Sequence, residues 1–198
     1  MRRNPSTVVI LAGQASEGLL GAIDRSMNVS LVRPEEGEGI EPAAAALRRA
    51  AGISSPYVLV AADPLASVAS EWEAMWEIAA GPRGSETFEL RAGGALAAWH
   101  ANQFELPDYY LTLVPEAAPD EQHQSFYLGP LRAVRPHRVA VVAAAEPAEQ
   151  AAGVLTALAS LRHGRWWPGL DEIIRTAREY YPGALSGSPD AGSSRLLA

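Results

Sequence analysis

Apolar residues fall into short β-branched runs separated by longer stretches that repeat every three or four positions. Thr7–Ala12, Val29–Val32 and Tyr57–Ala62 read as strands, and the last is apolar throughout, as a strand covered on both faces should be. Between them, Ser16–Met27 places Leu19, Leu20, Ile23 and Met27 on one helical side. Pro42 opens an alanine-rich helix to about Ala51, after the acidic loop Glu35–Gly39. Leu65–Ala80 puts Leu65, Val68, Trp72, Met75, Trp76 and Ala79 on one face, with Glu71, Glu73 and Glu77 projecting from the rest.

The middle of the chain is less regular. Gly81–Ser85 reads as a loop, Thr87–Arg91 as a short strand, and Ala95–Gln103 as a helical turn or two carrying Trp99. Tyr109–Val114 is another strand. Phe126–Leu128 and Arg138–Ala143 flank a segment rich in proline and arginine, and read as one bent strand or two. Glu146–Arg162 and Leu170–Tyr181 close the pattern as helices, the first with Ala151, Val154, Leu155, Leu158 and Leu161 inward. Strand–helix alternation at this spacing predicts one α/β domain over 1–181. Its form is a three-layer sandwich with a largely parallel, doubly wound, Rossmann-like sheet. Residues 182–198 are Gly, Ser, Pro and Ala with little to bury, and are expected to be a disordered tail.

Composition narrows the chemistry. All 16 basic residues are arginine and there is no cysteine, so Schiff bases, thiol nucleophiles, thiolate metal sites and disulfides are excluded. A GC-rich, bacterial-type genome accounts for that bias. A net charge of −7 opposes nucleic-acid binding. No apolar run approaches the ~20 residues of a membrane span, and Val8–Ala12 behind Arg2-Arg3 is too short for a signal-peptide core, so a cytoplasmic protein is expected.

The first strand-to-helix turn is the best local signal. Gly13, Ala15 and Gly18 follow the G-x-G-x-x-G dinucleotide spacing with alanine at the middle glycine, where backbone must approach pyrophosphate. About twenty residues on, Arg33 suits a ribose 2′-phosphate and Glu35 a 2′-hydroxyl. This segment resembles the start of a nicotinamide-dinucleotide fold, which implies NADP as cofactor. The competing account is that any α/β domain needs small residues at its first turn. The Gly13-x4-Gly18 spacing of a phosphate-loop NTPase fails, because Leu19 and Leu20 replace the lysine and hydroxyl. A nucleophile elbow fails as well, since Gln14 stands two before Ser16.

Four strand ends carry an acid beside a proline: Pro34-Glu35, Asp63-Pro64, Pro115-Glu116 and Glu146-Pro147. Helix starts favour both residue types without any metal, and Asp63, after the clearest strand, is the exception singled out as a ligand-binding position. None of His100, His123, His137 and His163 has zinc-site spacing; His100 could act as a base, and metal ligands are expected to be none. Arg132, Arg135, Arg138, Arg162 and Arg165, with His137 and His163, concentrate positive charge in two segments expected to meet near one end of the sheet. With Trp166 and Trp167 they form a candidate surface for an acidic protein partner or a small anion. The favoured reading is therefore a non-catalytic binding or regulatory domain; the alternative is an NADP(H)-dependent oxidoreductase using residues 13–18.

Overall fold

A computed structural model describes residues 6–13, 15–37, 39–76, 81–114, 125–143, 146–164 and 167–180, with side chains from position 85 onward in the segment that starts at 81. Five strands, β1 (Thr7–Ala12), β2 (Val29–Val32), β3 (Tyr57–Val60), β4 (Tyr109–Val114) and β5 (Val139–Ala143), form one all-parallel sheet in the order β2-β3-β1-β4-β5. The helices are α1 (Glu17–Asp24), α2 (Glu41–Ala51), α3 (Ala66–Ala74), α4 (Gly81–His100), α5 (Arg132–Val134, a single turn), α6 (Pro147–Ser160) and α7 (Leu170–Tyr180). This is the doubly wound α/β architecture that the alternating pattern predicts.

Alternation along β1 builds the two cores. Val8, Ile10 and Ala12 face α2, α3, α4 and α7, while Val9 and Leu11 face α1 and α6. The larger core is aromatic: Trp72 is fully buried and meets Trp76, Phe126 and Tyr180 at ring-centroid distances of 5.6, 6.1 and 6.1 Å. On the other face the approach is closest at Gly153 of α6, where a Cβ would stand 2.7 Å from Val142 Cγ1 of β5.

Four expectations about the elements need correction. Gly81–Ser85, read as a loop, opens α4. Thr87–Arg91 lies within α4, because Phe88, Ala92, Ala95 and Ala98 recur at helical spacing and bury one stripe. Met27 follows α1 and is 99% exposed. Phe126–Leu128 is no strand. Tyr127–Leu131 forms a single π turn: Pro130 has no N–H to offer the Phe126 carbonyl, so Leu131 N–H donates instead at 3.1 Å and the turn widens. Glu116, Arg165, Trp166 and the tail 182–198 lie outside the described residues.

Candidate functional site

In an open parallel sheet, ligands bind beyond the carboxyl ends of the strands, where neighbouring connections leave toward opposite faces. Here that point lies around β1, whose connection enters α1 on one face while the strands on either side of it, β3 and β4, send theirs to the other.

Gly13 leaves β1 with φ +94°, a left-handed conformation that suits glycine. Ser16 caps α1, its Oγ accepting Leu19 N–H at 3.2 Å, and Ala15 is partly buried beside it. The start of α6 reaches the same place. A Cβ on Gly18 would lie 3.7 Å from Pro147 Cβ, so two helix N-termini, with their partial positive charge, come together. Arg33, just beyond β2, extends to the same helix start and donates to Glu17 Oε2 at 2.7 Å. Gly18 and the Arg33 guanidinium therefore both lie at the start of α1, and Gly13 and Ala15 form the turn that leads into it. Glu35 does not join them: it pairs with Arg49 of α2.

Asp63 occupies the carboxyl end beyond β3 and turns toward the aromatic core. Its Oδ1 accepts Leu65 N–H at 2.9 Å, capping the approach to α3, and its Oδ2 accepts the Tyr127 hydroxyl at 2.6 Å. The Tyr110 hydroxyl also faces this carboxylate but has no partner at hydrogen-bonding geometry. Burial drives the Asp63 pKa up from 3.8 to about 6 against the opposing pull of these donors. The residue is partly accessible by surface area although its carboxyl group is enclosed, and the enclosure of that group governs its titration. The same negative charge, with burial first, raises both tyrosines well above 10. In the last turn of α3, Glu73 accepts Phe126 N–H at 3.0 Å, and burial raises its pKa too. Far from projecting into solvent, Glu73 works with Asp63 to hold the π turn against α3.

The arginine segments meet at the opposite end of the sheet. Arg138 stacks over the Tyr109 ring at 4.5 Å, and the Tyr109 hydroxyl donates to the Arg162 carbonyl at 3.0 Å. Arg162 is exposed there, and Arg132 and Arg135 are exposed on the segment that leads from the π turn to β5. Trp167 is turned inward, its Nε1–H donating to the Pro107 carbonyl at 2.9 Å and its ring packing edge-on against Tyr110. Pattern reading passed over Asp108, which is fully buried and accepts Val8 N–H at 2.7 Å and Gly164 N–H at 3.1 Å, with His163 Nδ1 at 3.5 Å. Its signal was an acid directly before an apolar strand.

Among the described residues, no three His, Asp or Glu side chains cluster to hold a metal ion, and no helix is long and apolar enough to cross a membrane. No protein-family model, curated protein or solved structure matches the chain.

Proposed function

We propose that the protein is a binding domain for a small, phosphate-bearing anion, seated at the carboxyl end of the sheet between the starts of α1 and α6. The observation that carries this reading is the meeting of two helix N-termini at Gly18 and Pro147, with the Arg33 guanidinium drawn to the same place. Glu17 now occupies Arg33, and an arriving phosphate displaces it, since a guanidinium fork pairs with phosphate in two parallel bonds. A single phosphate group fits better than an entire dinucleotide. With β3 between β1 and β2, the β2 tip stands two strand spacings from the Gly13 turn, roughly 9.6 Å by ordinary sheet geometry, whereas the dinucleotide arrangement uses adjacent strands. NADP remains a member of the test panel.

Thermal denaturation with pyrophosphate, NADP⁺, NADPH, NAD⁺ and ATP in separate wells tests the site. Ligand at about 100 times its Kd adds roughly 2.7 kcal/mol by mass action. Glu17→Gln should tighten binding by freeing Arg33, Arg33→Gln should weaken it, and Gly18→Trp should block it. A flat panel, or stabilisation that survives Gly18→Trp, refutes the proposal. A second reading rests on the meeting of the arginine segments around Tyr109, a surface suited to an acidic protein partner. It predicts salt-sensitive capture that is lost when Arg132 and Arg162 become glutamate.

A further inference from the structure

A cleft lies at the other end of the sheet, where the chain leaves α4, enters β4 and later begins α7. Its volume is about 740 Å³, within the range of small-molecule sites, and Trp99, Phe104 and Trp167 form its walls. Trp99 and Phe104 brace one another edge to face at 5.8 Å, and the bond from Trp167 Nε1 to Pro107 fixes the third ring. Polar groups enter at two points. The His100 imidazole is held by Asp171, with Nε2 and Oδ2 3.1 Å apart. Asn102 stands at φ +54° just past the end of α4; its N–H donates to the Trp99 carbonyl, and Gln103 N–H to that of Ala98. Those paired bonds lock the backbone that presents the Asn102 carboxamide.

Charge decides what this cleft can hold. Among the described residues no arginine lines it and the chain has no lysine, which disfavours an anion. At its edge the Asp171 carboxylate is already engaged by His100, which disfavours an organic cation there. What remains is a neutral flat ring between aromatic walls, with hydrogen-bond donors and acceptors along one edge. A carboxamide both donates and accepts, and an imidazole does one or the other at each nitrogen. We infer that this cleft is a second ligand site, for a small neutral heteroaromatic compound of the purine-base type. It is read at its edge by Asn102 and His100.

The test follows indole N–H signals by two-dimensional NMR while free adenine is titrated into the full chain, with tetramethylammonium and inorganic phosphate titrated separately. Asn102→Gly is the informative variant. Glycine keeps the left-handed helix end and removes only the carboxamide, so the fold survives. Adenine should shift the Trp99 and Trp167 signals saturably and leave those of Trp72 and Trp76 in place. Asn102→Gly and His100→Ala should each weaken that binding about tenfold, the equivalent of one hydrogen bond. Gly18→Trp, at the far end of the sheet, should leave it unchanged. The inference is overturned if nothing saturates by about 5 mM adenine, if both variants bind adenine as the parent does, or if either ion shifts the same two signals.

Discussion

Replacing Asp63 by asparagine should change how stability depends on pH, and the structure fixes the sign. In the unfolded chain this carboxyl titrates near 3.8 and in the folded protein at about 6. A raised folded pKa means that the native state holds its proton more tightly. The stabilising contribution is therefore complete below pH 3.8 and disappears as pH climbs through 6. A difference of about two units is worth up to roughly 3 kcal/mol, or about 2 kcal/mol once the partial accessibility of the residue is allowed for. Asparagine cannot ionise, so relative to the parent it should gain this amount between pH 4 and pH 8. The absolute offset carries a second effect, because the amide NH₂ replaces one of two oxygens that accept from Leu65 and Tyr127. The slope is thus the quantity to read. For a domain of this size 1 kcal/mol moves Tm by about 2–4 °C, so the Tm gap should change by about 4–12 °C, with its midpoint at about pH 5, midway between the unfolded and folded pKa values. Glu73, also raised by burial, is present in both proteins and cancels in the difference. Tyr127→Phe removes a bond that lowers the Asp63 pKa and should move the midpoint upward. Parallel Tm curves for parent and Asp63→Asn across pH 4–8 would falsify the assignment.

Three further outcomes are expected. Gly153→Ala drives a methyl against Val142 Cγ1 and should lower stability by about 1–3 kcal/mol despite the better helix propensity, measured by urea denaturation. With Val142→Ala added, the total loss should fall short of the summed single losses; simple additivity would remove the proposed contact. Asp108→Ala leaves the buried amides of Val8 and Gly164 without their acceptor and should cost about 3 kcal/mol or more, whereas a loss below about 1 kcal/mol would contradict that role. Met27→Gln, at a 99% exposed position, should change stability by no more than about 0.5 kcal/mol, and a larger loss would show that Met27 packs after all.

The strands were legible because each is a dense β-branched run bounded by turn residues. Where the pattern misled, a local signal lost to packing. Thr87 and Phe88 look like strand residues, and Gly93-Gly94 looks like a break. The alanines at 92, 95 and 98 nevertheless let α4 lie close against its neighbours, and that contact outweighs the weak propensity of two glycines. Asp63 stood out from its place after β3. Its partner Tyr127 is 64 residues away on a turn created by a missing proline N–H, and no spacing rule reaches that far. The first turn pointed to Gly13, Gly18 and Arg33, of which Gly18 and Arg33 reach the start of α1. The approach of Pro147 depended on a sheet order that one sequence does not disclose. Of the two adjacent indoles, Trp167 points inward, and Trp166 lies outside the described residues.

The position of β1 in the middle of the sheet has a consequence during synthesis. The strand is made before either lateral partner, since those begin only at Tyr57 and Tyr109, and the carboxylate that clamps Val8 comes from Asp108. At about 5–20 residues per second, roughly 5–20 s pass before β4 can dock. During that interval a nascent ribbon of valine, isoleucine and leucine has both edges raw until β3 is made, and one raw edge from then until β4 docks. Protection in that window must come from outside the sheet, from the exit tunnel or from a holding chaperone, so yield in the cell should depend on translation speed between β1 and β4.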